Sequence, residues 1–193
     1  AKKYSHLNGE EWLLVHEKAT YQEILDVIAD IDAEKCRANI SNEKGRALYS
    51  PVDINAEFEK RLSNLGWQST RYSYYATREY EQLETTTQMT LEGPKQYLGS
   101  QSTEAIYSYN EKSHVAIEAQ FGEYALVSSD IFVKHLAFYI KRLINVGIEI
   151  LPTKVMQKEM PSGIAYYEGE LHNILRHGRG NPSVPLVIIG LEP

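Results

Sequence analysis

Along residues 115–121, Val-Ala-Ile-Glu-Ala-Gln-Phe, the side chains alternate with period two. That is the period of a strand, so Val115, Ile117, Ala119 and Phe121 share one side and Ala116, Glu118 and Gln120 the other. Upstream the spacing is helical. Trp12, Leu13, Val15, Ile24, Leu25, Val27, Ile28 and Ile31 recur along 10–36, and Thr20 with Glu23 reads as a capping box, which predicts a helix over 21–34. A polar loop at 39–46 follows. Ser50-Pro51 opens a second helix with Ile54, Phe58, Leu62 and Leu65 on one face, ended by Gly66. Trp67 anchors the β-formers of 68–76. After Gly122, Ser129 or Asp130 caps a helix whose apolar positions (Ile131, Phe132, Leu136, Phe138, Tyr139, Ile140, Leu143) occupy more than one face. A buried strand at 146–151, a polar loop at 154–163, a helix at about 164–177 with Tyr167, Leu171, Ile174 and Leu175 inward, a breaker at 178–182 and an apolar strand at 186–191 complete the chain. This half reads β-α-β-α-β with strands buried on both faces, which predicts an α/β fold: a central mixed sheet flanked by helices. The expectation is one domain over 1–193, with a small subdomain or lid at about 78–110, where Thr85-Thr86-Thr87, Gly93-Pro94 and Gly99-Ser100 interrupt any periodicity.

The polar side of the 115–121 strand carries the candidate chemistry. Glu118 and Gln120 stand two positions apart, roughly 6.6–7 Å along a strand. Two such oxygen-bearing side chains can converge on a hard cation such as Mg²⁺, as metal-dependent nucleases require. The same pattern also suits a half-buried strand whose polar face meets solvent, and the alternation alone does not choose between the two.

Composition narrows the field. The chain has 193 residues, 42% of them hydrophobic, enough for one substantial core. A net charge of −6 excludes a generally basic coat for nucleic acid, so DNA contact has to use a local basic lining. The single Cys36 excludes an internal disulfide and a cysteine-based zinc site, and fits a reducing, cytoplasmic setting. It follows a helical run and reads as packing. No apolar run approaches the roughly 20 residues of a membrane span, and 1–6 lacks the apolar core of a signal peptide. The 6 histidines, His172 and His177 among them, have no metal-ligand spacing and read as surface positions. Neither a glycine-rich phosphate loop nor a Gly-x-Ser-x-Gly elbow is present.

Several segments together resemble the type II restriction endonucleases of the BstYI/BglII/BamHI-like group, with the PD-(D/E)xK nuclease core. They are Tyr4-Ser5-His6-Leu7-Asn8-Gly9, Ile31-Asp32-Ala33-Glu34, Leu48-Tyr49-Ser50-Pro51-Val52, Val115-Ala116-Ile117-Glu118 with Gln120-Phe121-Gly122, Phe132-Val133-Lys134-His135, Val146-Gly147-Ile148-Glu149-Ile150-Leu151-Pro152, and Ser162-Gly163 with Tyr166-Tyr167-Glu168-Gly169-Glu170-Leu171. The likeness implies that Glu118 is the metal-binding carboxylate, that the Ala119 carbonyl is a further ligand, and that Gln120 stands where most proteins of this fold carry lysine. It gives Glu168 no catalytic role. It places Ser162 and Gly163 in a loop that reads base edges in the major groove. Two departures stand out. The family's aspartate, about nine residues before the glutamate, is here Tyr109: either Glu111 substitutes, or a short piece is missing, or the protein is impaired. Glu123 falls where the family has a base-reading side chain, and can equally be a solvated turn residue.

The resemblance therefore implies a Mg²⁺-dependent endonuclease acting on double-stranded DNA at a GATC-centred palindrome (purine-GATC-pyrimidine in kind). It acts as a homodimer, because a palindrome demands two-fold related readers. The dimer helix is expected at 131–143, beside the helix after Ile164. The alternative is a DNA-binding protein of the same fold that has lost cutting. Ser162 reads either as a base contact or as a plain helix N-cap.

Overall fold

The computed structural model describes residues 1–40, 45, 47–76, 103–121, 127 and 130–193, with backbone only at 38–40, 69–76, 103–111 and 130. In chain order the elements are β1 (Lys2–His6), α1 (Gly9–His16), α2 (Lys18–Asp30), a 3₁₀ turn (Ala33–Cys36), β2 (Arg37–Ile40), β3 (Ala47–Tyr49), α3 (Pro51–Asn64), β4 (Gln68–Ala76), β5 (Thr103–Lys112) and β6 (Val115–Ala119). A π-helical turn (Asp130–Lys134) then leads into α4 (His135–Ile140), followed by β7 (Val146–Pro152), α5 (Lys154–Gln157), α6 (Tyr167–His177) and β8 (Leu186–Leu191). Two compact units divide the chain, Ala1–Gln68 with Asn110–Pro193 and Ser69–Tyr109. The second holds most of β4 and β5, which are neighbouring strands.

In the first unit the sheet runs β1-β8-β7-β6, and residues 110–112 of β5 pair with the start of β6. β6 is parallel to β7 and β7 to β8, whereas β1–β8 and β5–β6 are antiparallel, so the sheet is mixed as expected. Helices cover both faces. On one, Val115, Ile117, Phe121, Ile148, Ile150 and Ile189 pack with Leu13, Ile24, Ile54, Phe58 and Leu62 of α1–α3. On the other, Leu151, Leu186 and Ile188 pack with Ile131, Tyr167 and Ile174. Every residue of β7 and β8 is buried, which is why these strands read as near-continuous apolar runs.

Some expectations need correction. The first helical run breaks at Glu17, whose backbone (φ −135°) leaves the helix, and α2 begins at Lys18. Thr20 therefore lies inside α2 and donates to the Glu17 carboxylate at 3.0 Å, so the expected capping box does not form. At α3 the expectation holds: the Asp53 amide donates to Ser50 Oγ at 3.2 Å and Pro51 occupies the first turn, where its missing N–H costs nothing. The polar 154–163 segment contains α5 and buries Met156 and Met160, because two isolated apolar residues suffice to pin a loop to a core. The last helix starts at Tyr167, not near Ile164, because Ile164 and Ala165 are buried in the approach to it; Leu175 and, at the end of α3, Leu65 are exposed. β1, too polar to be read as a strand, pairs with β8.

A charged cluster ties the 3₁₀ turn to the rest. Arg37 donates from Nε and Nη2 to Glu34 at 2.7 and 3.0 Å, and from Nη2 to Glu159 at 2.9 Å. The Tyr49 hydroxyl donates to Glu34 at 2.5 Å. The Arg37 guanidinium, then the Tyr49 hydroxyl, hold the Glu34 carboxyl at about 2, down from 4.5. Because the folded value lies below the unfolded one, this contribution to stability is complete above pH 4.5 and is lost as the pH falls toward 2. Melting temperatures measured across that range are expected to fall less steeply for Glu34→Gln than for the parent; parallel curves would show that the cluster does not act in folding. High salt is expected to shrink the difference, since Glu34 is exposed.

Candidate active site

Glu118 on β6, and Gln120 just past its end, lie by the strand alternation on the sheet face away from α1–α3. Ala116, on the same face, is fully buried, so the polar side of this strand is not simply solvent-facing; it is covered at its start and opens toward its end. Glu118 keeps about 20% of its side-chain exposure and meets Lys134, whose Nζ donates to Glu118 Oε2 at 2.7 Å although the lysine side chain is only 4% exposed. Glu118 lies in register with Glu149 on the parallel neighbour β7. Glu149 is fully buried, and His135 Nε2 lies 3.0 Å from its Oε2. Gly147, two residues earlier on β7, makes room for that ring: a Cβ there would sit 2.5 Å from His135 Nδ1. Two consecutive residues, Lys134 and His135, thus meet two glutamates on adjacent strands.

The end of β6 is held firmly. The Gln120 amide donates to the Ile150 carbonyl at 2.9 Å, extending the parallel ladder one residue past Ala119. Phe121 is fully buried and stacks on Phe58, with ring centroids 5.9 Å apart and 21° between planes. Glu118, Ala119 and Gln120 are therefore brought together at a half-buried strand end. Glu111 is represented by its backbone, which pairs with Ala116, two residues before Glu118; its side chain and all of Glu123 lie outside the described residues. Ser162 and Gly163 sit elsewhere, exposed in the connection between α5 and α6. The α6 N-cap is Tyr166, so Ser162 does not cap that helix. Gly163 has φ +84° with open space around it, a backbone shape that favours glycine.

The donors at this strand end fit Mg²⁺. That ion usually takes one or two carboxylates and fills its shell with water and substrate phosphate. Glu118 and the Ala119 carbonyl offer hard oxygens, and among the described residues no cluster of three His, Cys, Asp or Glu side chains offers a ready-made cage. A cavity of about 440 Å³ lined by Gly66, Gln68, Lys112, Ser113, His114, Arg142 and Leu143 lies at the opposite end of β6. Its Lys112 is paired with Glu23 at 2.8 Å, which weakens it as an anion site.

Other singled-out residues have structural work. Glu168 accepts from Lys2 Nζ at 2.8 Å and from the Lys154 amide at 2.7 Å, joining β1, α5 and α6. Cys36 is buried, and burial pushes its thiol up, as suits packing rather than a nucleophile. His172 and His177 are exposed. Lys134 and Glu149 lie in segments that carry the family resemblance, but the sequence assigned neither of them a role; only the fold reveals their neighbours.

The mixed α/β sheet flanked by helices is the fold of the restriction endonucleases that this chain resembles. The model of the restriction endonuclease BglII/BglIII family matches residues 1–191, and the chain belongs to that family of type II site-specific endonucleases. The crystal structure of free BglII superposes with a TM-score of 0.60 at 14% identity, covering 98% of this chain and 78% of that one. BglII complexed with a DNA 16-mer gives 0.65 at 14% identity, covering 100% and 76%. No curated protein sequence matches the chain. Among the described residues no helix is long and apolar enough to cross a membrane.

Proposed function

We propose that the protein is a Mg²⁺-dependent homodimer, cytoplasmic and nearest to the BstYI-like members of its family, that cuts double-stranded DNA at a GATC-centred palindrome. The observation that carries this reading is the family match across 1–191, joined to a half-buried Glu118 and Gln120 at one strand end. Mg²⁺, when bound, supplies Lewis-acid polarisation of the phosphate and activation of the nucleophile. Glu118 and the Ala119 carbonyl hold the ion, and Gln120, an amide that cannot act as a strong base, orients the attacking water. Glu111 stands in for the missing aspartate. The test is cleavage of a GATC-containing duplex and a scrambled duplex, with and without Mg²⁺. Cutting that ignores the sequence, or needs no metal, refutes the reading. Specific binding without cutting in either Mg²⁺ or Mn²⁺ would instead identify a DNA-binding protein that has lost catalysis, the outcome that Tyr109 in place of aspartate would explain.

Base readout is assigned to Ser162, Gly163 and Glu123. Since Ser162 is exposed and does not cap α6, Ser162→Ala is expected to leave melting unchanged and to relax one symmetric pair of positions, with roughly 1–3 kcal/mol of discrimination lost. A profile of cleaved sites identical to the parent's would remove Ser162 from the readout. Glu123→Lys, profiled alongside, reports whether the outer base pair is read from the other loop.

Val133, Tyr139 and Ile140 on the π turn and α4, and Leu175 on α6, expose apolar surface. This is the patch assigned to the dimer. Sedimentation at micromolar concentration is expected to give a dimer, and Ile140→Glu a monomer that no longer cuts both strands in concert. A parent that sediments as a monomer and still cuts both strands together would refute the assignment.

A further inference from the structure

The ion pair between Lys134 and Glu118 asks for an explanation that packing does not supply. Taking an ammonium out of water is costly, and an apolar side chain of similar length usually packs as well or better in such a place. Yet Lys134 is buried to 4% exposure with its Nζ 2.7 Å from one oxygen of the proposed metal-binding carboxylate. It is the last residue of a π-helical turn, a rare local geometry that recurs at functional sites. Lys134 faces Glu118 and the next residue, His135, faces Glu149, the in-register neighbour on β7. The strand itself offers no cation at this end, since Gln120 is neutral. A phosphodiester gains negative charge as it is attacked, and in a chain of net charge −6 that charge needs a local positive partner.

We propose that Lys134 supplies from the helix side the positive charge that Gln120 does not supply from the strand. It is a charge-compensating residue: its ammonium, held against Glu118 in the resting site, offsets charge developing at the reacting phosphate once metal and DNA are bound. The inference rests on the nuclease reading above.

The test uses the full-length protein and four variants, Lys134→Met, Lys134→Arg, Gln120→Lys and the double variant Lys134→Met with Gln120→Lys. Four quantities are read: melting temperature, duplex binding in Ca²⁺, Mn²⁺ affinity by electron paramagnetic resonance, and single-turnover cleavage in Mg²⁺. Lys134→Met is expected to fold, to bind duplex like the parent and to cleave on the order of 10²-fold more slowly. It is expected to bind Mn²⁺ more tightly, because a competing cation beside Glu118 is gone. Adding Gln120→Lys to Lys134→Met is expected to recover about tenfold in rate, since a lysine at the strand position restores the charge. Lys134→Met cutting within about threefold of the parent overturns the proposal. So does a slow Lys134→Met that binds Mn²⁺ more weakly and is not rescued by Gln120→Lys, for then Lys134 only props Glu118 in place. Should Lys134→Met fail to fold, Lys134→Arg decides: it keeps the charge and is expected to keep cleavage within about tenfold, and a deeper loss refutes the idea. If the parent itself does not cleave, the nuclease reading has failed, and Mn²⁺ affinity unchanged by Lys134→Met then refutes this proposal as well.

Discussion

Glu118→Gln is expected to slow cleavage of a GATC duplex by on the order of 10³-fold or more, about 4 kcal/mol of transition-state stabilisation. The exchange removes the negative charge that holds the cation while preserving the size of the side chain. It also leaves Lys134 an amide oxygen to donate to, 2.7 Å from its ammonium in the parent arrangement. Glu118→Ala is the worse choice. Breaking a fully buried pair from one side costs roughly 3–5 kcal/mol, less here because Glu118 keeps about 20% exposure, and part of any lost activity would be lost stability. Specific duplex binding in Ca²⁺ and the melting temperature are the controls. Duplex binding is expected to stay close to the parent's, and the melting temperature to fall less than for Glu118→Ala, because the amide still accepts from Lys134 although it no longer neutralises it. Parent-like cleavage by Glu118→Gln would move the metal site elsewhere.

Phe58→Ala carries the largest expected cost in stability. The ring is 1% exposed on α3 and stacks on Phe121, so its removal leaves a cavity between a helix and the sheet. Truncations of this kind cost roughly 3–5 kcal/mol. In a domain of this size that lowers the melting temperature by roughly 6–20 °C, at about 2–4 °C per kcal/mol. The consequence reaches the active site, because Phe121 directly follows Gln120. With its stacking partner gone, Phe121 can shift and carry Gln120 with it, so cleavage is expected to drop at temperatures where the variant is still folded. Phe58→Leu, which refills most of the cavity, is expected to recover most of the lost stability. A melting shift below about 3 °C for Phe58→Ala would mean that this contact does not hold α3 to the sheet.

Much of the scaffold was written in short-range patterns. The period of 115–121 specified β6, the apolar runs specified β7 and β8, and Ser50-Pro51 with Ile54, Phe58 and Leu62 specified α3 and its cap. These are strong signals because each is enforced locally, by the two-residue alternation of a strand, by burial on both faces of a parallel sheet, or by an amide that needs an acceptor at a helix start. Where tertiary contacts outweigh local preference the reading failed. Thr20 and Glu23 form a good capping box on paper, but the chain turns at Glu17 and absorbs Thr20 into α2. β1 is polar and becomes a strand only because β8 offers its edge. Ser162 has the chemistry of a cap, and the buried Ile164 and Ala165 delay the helix until Tyr167.

For function the division is similar. Residue identities alone determined that this chain carries an acid and an amide at one strand end and lacks the basic surplus of a general DNA coat; the nuclease reading came from the resemblance of whole segments to a known family. Glu118 and Gln120 could be read because they are two residues apart and the strand period relates them. Only the tertiary structure decided what faces them. Lys134 meets Glu118, and His135 meets Glu149, because the junction of the π turn and α4 sets two consecutive side chains against two strands whose pairing register sets their glutamates side by side. No periodicity along the chain encodes that meeting; it follows from parallel strand register and from a helix packed across it, and both exist only once the sheet has formed.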